Sequence, residues 1–71
     1  MIPLRINLRL AEAKLADAMA QLELAHHRAT QLAVAPNYIA AIDKSIDETR
    51  DAWLHTGNIA TVIQPSDDPL N

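Results

Sequence analysis

The sequence predicts a mainly α protein, an antiparallel two-helix hairpin with short extended arms, compatible with β-strands, at both termini. Three observations predict this fold. Two long segments carry apolar residues at helical spacing, a break at Pro36 separates them, and short apolar segments lie at both ends. The chain of 71 residues is a single small domain (1–71), and a helix pair of this size buries little apolar surface. We therefore expect it to need a partner.

The first arm is predicted over residues 1–10. Its apolar residues alternate with proline or polar residues, which is the period of a β-strand: Ile2, Leu4, Ile6, Leu8 and Leu10. A second interpretation continues the first helix backwards through Leu4, which lies four residues before Leu8, and leaves Ile6 and Leu10 facing solvent. We take the extended arm as the prediction and keep the continuous helix as the alternative.

The first helix is predicted over residues 11–34. Two rows of apolar residues recur every seventh position and form one stripe: Leu8, Leu15, Leu22 and Ala29 in the first row, and Ala11, Ala18, Ala25 and Leu32 in the second. No proline or glycine interrupts the run. The helix is expected to end near Val34, because Pro36 disfavours helical geometry at Ala35 and has no backbone N–H to donate.

The second helix is predicted over residues 37–56, with Asn37 as its N-cap. Its inward positions follow three-four spacing: Ile39, Ile42, Ile46, Thr49 and Trp53. Gly57 followed by Asn58 predicts a left-handed stop, and His55 in the last turn suits the negative end of the helix dipole.

A connection of a few residues makes the helices antiparallel neighbours, with residue numbers adding to about 71 across the pair. Ala18 is then predicted to face Trp53, and Ala25 to face Ile46. Small side chains opposite large ones fill space at close approach. Trp53 is read first as a core residue over Ala18, and alternatively as an anchor of an interface.

Residues 58–64 are predicted to form a short strand, because they are rich in β-branched residues and end at Pro65. In an antiparallel hairpin this segment meets residues 2–10 at the same end, where the two could pair. A lone two-stranded ribbon is marginal in water, so it would pack on its own hairpin or be completed by another chain. Residues 65–71 are expected to form a loose tail.

Composition excludes several classes of function. The chain has no cysteine, so disulfides and cysteine-based zinc sites cannot support the fold. Six Lys and Arg against nine Asp and Glu give a net charge of −3, which argues against nucleic acid as a partner. No apolar window is long enough to span a bilayer. We expect a soluble protein without membrane contacts, located in the cytoplasm or in a soluble assembly.

No group of residues predicts a reaction. Glu23 and His26 have the Glu-x-x-His spacing used by di-metal helix bundles, but Glu23 lies off the apolar stripe and His26 only at its edge. His26 and His27 cannot face one site from adjacent helix positions. We expect no catalytic residue, no cofactor and no metal, and hence a protein that is not an enzyme.

The sequence therefore favours a protein-protein interaction or structural subunit that forms a homo-oligomer or joins a larger assembly, by analogy with small bacterial and phage assembly components. A second, weakly apolar strip on the first helix supports this: Leu10, Ala13, Ala16, Ala20 and Leu24. The residues predicted to carry contacts between chains are Ile6, Leu10, Leu24, Trp53, Ile59, Val62 and Ile63. The alternative is a small acidic inhibitor or adaptor that docks Asp43, Asp47 and Asp51 on a basic protein surface.

Overall fold

The computed structural model describes residues 3–63, and within them it contains two α-helices and no strand. Helix α1 spans Leu4–Gln31 and helix α2 spans Pro36–Val62. The helices run antiparallel, since Arg9 contacts Thr61 at one end and His26 contacts Asp43 at the other. The structure's dimensions are 52 × 17 × 13 Å, so residues 3–63 form a single layer of two helices. The predicted hairpin is confirmed.

The extended first arm is wrong for the residues that the structure describes. Helix α1 begins at Leu4, so residues 4–10 are helical and the alternative of a continuous helix holds. The Arg5 guanidinium Nη2 donates a hydrogen bond to the carbonyl oxygen of Ile63 at 2.8 Å, which fastens the first turn of α1 to the end of α2. A helix satisfies its own backbone groups, whereas an unsupported ribbon leaves edges unpaired.

The predicted strand is also wrong over residues 58–62, which continue α2. Gly57 does not stop the helix, and its φ is not positive. The reason is packing against α1, since Ala60 is only 2% exposed and is the most buried residue of the pair. Tertiary contacts of this kind override the low helix propensity of glycine and β-branched residues. Residues 1, 2 and 64–71, which include the predicted tail, lie outside the described residues.

The connection between the helices is closed by backbone hydrogen bonds. Helix α1 ends at Gln31, a few residues before the predicted Val34, with Leu32 as its C-cap. The N–H of Val34 donates to the carbonyl of Ala29, and the N–H of Ala33 to that of Thr30, both at 3.2 Å. These are the paired bonds of a Schellman motif. Ala33 holds the left-handed position of this motif, with φ of 55°.

Helix α2 starts earlier than predicted. Ala35 is its N-cap and Pro36 its first helical residue, where the missing N–H of proline would have no helical partner in any case. Asn37 therefore lies inside the helix, and the predicted capping role is wrong. The connection is only four residues long, 32–35.

The contact between the helices is rotated by one position from the predicted one. Ala29 is buried and the other members of its row, Leu8, Leu15 and Leu22, are half-buried as expected. The second row is exposed, however, and α1 turns a different set toward α2, namely Glu12, Met19 and His26. The predicted contacts of Ala18 with Trp53 and of Ala25 with Ile46 are therefore wrong.

The physical reason is that the rotated face of α1 buries more apolar area and makes more polar contacts with α2. Met19 covers more apolar area than an alanine at position 18 would. The same rotation brings Glu23 and His26 within reach of Arg50 and Asp43 on α2. On α2 the predicted inward residues are confirmed, with Ile46 buried and the other four half-buried: Ile39, Ile42, Thr49 and Trp53.

Candidate interaction surface

One face of the hairpin carries the polar contacts between the helices, and we call it the polar face. Near its open end the Arg9 guanidinium donates to Glu12 Oε1 at 2.9 Å and to Thr61 Oγ1 at 3.3 Å. The Thr61 hydroxyl in turn donates to the carbonyl of Gly57 at 2.8 Å. The Glu12 carboxylate lies directly over Gly57, where a Cβ atom would collide with Oε2. These contacts link two successive turns of α2, at Gly57 and Thr61, to α1.

A shallow groove lies beside this network. Its volume is about 190 Å³ and its lining is mixed: Arg9, Glu12, Trp53, Leu54, Gly57, Asn58 and Thr61. Pockets that hold drug-sized ligands run to about 300–1,000 Å³ and enclose most of the ligand. The groove is open to solvent and smaller than these pockets, so it does not fit a small-molecule site. Trp53 is half-buried and lines this groove.

Ion pairs occupy the other end of the polar face. His26 Nε2 lies 3.5 Å from Asp43 Oδ1, while Arg50 reaches Asp47 Oδ1 at 3.2 Å and Glu23 Oε1 at 3.9 Å. Glu23 and His26 thus face different partners on α2. Nowhere in residues 3–63 do three potential metal-binding side chains come together.

Two acidic residues of α2 have basic side chains beside them, and the Arg50 guanidinium neutralises part of the charge of Asp47. Asp43 and Asp47 each have a basic partner in this chain, and Asp51 is the one member of the predicted acidic face for which the described part of the chain shows no ion pair. A basic protein docking on this column would have to compete with His26 and Arg50. The arrangement weakens the acidic-adaptor hypothesis.

The residues predicted to contact other chains are mostly exposed. Ile6, Leu10 and Leu24 are about half exposed, and Ile59 and Val62 are exposed as well. Trp53 and Ile63 are half-buried. They do not form one surface, because they lie on both helices and on different sides.

The positions of these residues around the two helices place them on different sides of the hairpin. On the side of α1 away from α2 lies an outer strip of Ile6, Leu10, Ala13, Ala20 and Leu24. Ala16, which the sequence placed in this strip, is half-buried. Asp17, at the position midway between Leu10 and Leu24, interrupts the strip with a charge. The outer strip is therefore narrow and divided.

The opposite side of the hairpin from the polar face forms a wider apolar surface, which we call the alanine face. It comprises Leu4, Ala11, Ala18 and Ala25 on α1 with the C-cap Leu32, and Tyr38, Ser45, Ala52 and Ile59 on α2. All nine residues are exposed and none carries a charge. Large side chains lie at both ends and small ones between them.

Sequence reasoning found half of this surface and gave it the wrong role. The seven-residue spacing identifies the row containing Ala18 and Ala25, but it predicts this row at the contact inside the hairpin, whereas both residues are exposed. A seven-residue repeat identifies a helix face and does not say which neighbour covers it. The α2 half has the same spacing in Tyr38, Ser45, Ala52 and Ile59, which was the available signal.

Comparison with known protein families, with curated proteins and with solved structures finds no match to this chain. Across residues 3–63, neither helix combines the length and the apolar composition needed to cross a bilayer.

Proposed function

We propose that this protein is a non-enzymatic structural or protein-interaction subunit that self-associates. The observation that carries the proposal is the balance of apolar residues between core and surface. Within residues 3–63, nine large hydrophobic side chains are exposed, whereas the buried set consists of Ala29, Ile46 and Ala60. No large side chain in this part of the chain is fully buried.

The shape of the molecule supports the same conclusion. Its radius of gyration is 16.1 Å, against about 11 Å for a compact domain of this length. A layer 13 Å thick is about one helix in depth, and stable domains bury apolar faces between at least two layers. Association with further helices supplies the missing layer.

Sedimentation velocity at several protein concentrations and at two salt levels tests this proposal. We expect a species larger than the monomer at micromolar concentration, which persists from about 0.1 M to about 1 M salt because apolar contacts are not screened. The variant Asp43→Ala/Asp47→Ala/Asp51→Ala is the matched control and should leave association unchanged. A monomer that melts cooperatively well above room temperature would refute self-association. Dissociation of the aspartate variant or of the wild type at high salt would instead favour contacts through the acidic side chains.

A further inference from the structure

We infer that a second copy of this chain covers the alanine face, in antiparallel orientation, about a twofold axis that passes Ala18 and Ala52. The product is a four-helix bundle with the two interhelical connections at opposite ends. This inference rests on the proposed self-association and adds the face, the orientation and the register.

The first argument is that the α1 row is self-complementary when reversed. Read along the helix, the row is Leu4, Ala11, Ala18, Ala25 and Leu32, large at both ends and small in the middle. An antiparallel twofold axis at Ala18 places Leu4 against Leu32 of the second copy and Ala11 against its Ala25. Ala18 then meets its own equivalent, where two methyl groups allow the helices to approach closely.

The second argument is that α2 has a matching centre at the same height. Arg9 contacts Thr61, so these two residues lie near the same level of the hairpin. Because the helices are antiparallel, nine residues after Arg9 and nine residues before Thr61 are also level with each other, and these positions are Ala18 and Ala52. Both are exposed alanines on the same face. One axis can therefore pass both helices at their small residues and set Ser45 opposite Ile59 of the second copy.

The third argument is charge along the borders of the face. Lys14 and Arg28 line the α1 border. The axis brings Lys14 level with Leu22 and Arg28 level with Leu8 of the second copy, next to its border residues Gln21 and Asn7, so no two like charges meet.

On the α2 border the same axis brings Glu48 within one residue of the level of His55 of the second copy, whose imidazole N–H can donate a hydrogen bond to the carboxylate. Both residues are exposed, and the described residues provide neither with an ion pair inside the hairpin. Complementary borders of this kind favour one orientation over others.

The fourth argument is size. A face of 52 × 17 Å has a projected area of about 880 Å², and stable interfaces bury about 800 Å² per partner. The outer strip is one helix wide and is crossed by Asp17, so it offers a smaller and partly charged surface. The alanine face is the better fit for a second copy.

Single cysteines test the register, because the natural chain has none. A disulfide joins Cα atoms about 4.4–6.8 Å apart, so Ala18→Cys and Ala52→Cys should each form covalent dimers under mild oxidation. Ala13→Cys, on the outer strip, is the matched control and should not. Ala11→Cys should not link to itself, since its equivalents lie about 21 Å apart along the bundle. It should link to Ala25→Cys in a mixture, as shown by peptide mass mapping.

Charge substitution provides the second measurement. Ala18→Glu places two carboxylates side by side on the axis and should raise the dimer dissociation constant at least about tenfold. Ala13→Glu should change it little. Circular dichroism of both variants should retain the helical signal, which separates loss of association from loss of folding.

The outcomes distinguish this inference from the proposed function. An oligomer that Ala18→Glu leaves intact, and in which Ala18→Cys does not cross-link, overturns the alanine face while self-association stands. Linking of Ala18→Cys to Ala52→Cys in a mixture, in place of the self-linked products, overturns the antiparallel orientation. A wild-type monomer overturns both proposals.

Discussion

The carboxylate of Glu12 on α1 fills the space that a Cβ atom at Gly57 of α2 would need. Glu12 Oε2 would collide with such an atom, and Glu12 Cδ lies 3.4 Å from it. The contact explains how glycine is accommodated inside a long helix, where it is usually unfavourable. The Glu12 side chain can lie against the α2 backbone here because Gly57 has no side chain, and the Arg9 guanidinium donates a hydrogen bond to Glu12 Oε1 at 2.9 Å.

Replacing Gly57 by alanine should give a result that depends on Glu12. Alanine favours the helix by about 1 kcal/mol over glycine, but the new Cβ must displace the Glu12 carboxylate from Arg9. In the wild-type background, Gly57→Ala should therefore raise the free energy of unfolding by clearly less than that amount.

In a Glu12→Ala background the same substitution should raise the free energy of unfolding by the full amount of about 1 kcal/mol, since the Glu12 side chain no longer occupies the space of the Cβ. Urea unfolding of the four proteins forms a double-mutant cycle that measures the coupling. Additive effects of the two substitutions would mean that the Glu12 side chain does not occupy this space in solution.

Substitution of Ala33 by glycine should stabilise the hairpin. Ala33 has φ of 55°, a left-handed conformation that costs an L-residue about 1–2 kcal/mol and glycine very little. The greater flexibility of glycine in the unfolded chain offsets part of this stabilisation. We therefore expect the free energy of unfolding, measured by thermal or urea denaturation, to increase by about 0.5–1 kcal/mol. Ala41→Gly, inside α2 and exposed, is the control and should lower stability by a similar amount. Equal losses at both positions would contradict the left-handed turn.

Shortening the Ile46 side chain should reveal how much the small core contributes to the stability of the hairpin. Ile46 is 7% exposed, and loss of one buried methylene from such a position usually costs about 0.5–1.5 kcal/mol. Ile46→Val should lower the urea midpoint accordingly. Ile6→Val removes the same group from an exposed position of α1 and should leave unfolding of the hairpin nearly unchanged. The reverse order of effects would mean that α2 presents a different side to α1.

Removal of the Arg50 charge should have only a small effect on stability. Its side chain and those of its partners Asp47 and Glu23 are between 46% and 73% exposed, and such surface pairs contribute about 0.2–1 kcal/mol. Arg50→Gln should therefore change the free energy of unfolding by less than about 1 kcal/mol, and the difference should shrink further in about 1 M salt. Lys44→Gln serves as a control for charge on the same helix. A loss of several kcal/mol would show that the pairs are desolvated in the assembled protein.

Local patterns determined a large part of this fold. The seven-residue spacing of Leu8, Leu15 and Leu22 identified α1 and its inner row, and Pro36 marked the break, because a proline without an N–H can begin a helix and cannot continue one. Antiparallel packing followed from the short connection between the helices. The sequence also predicts Ile6, Leu10 and Leu24 as contact residues outside the hairpin core, and all three are exposed.

Only the tertiary structure decided where the helices end and which faces meet. Residues 4–10 and 58–62 have patterns that fit a strand, and they are helical because Arg5 binds the end of α2 and Ala60 packs against α1. The rotation that buries Met19 and exposes Ala18 depends on bonds between residues far apart in the chain, such as Arg9 to Thr61. Periodicity records which residues share a side of one helix, whereas the burial of that side depends on the competing contacts that the second helix offers.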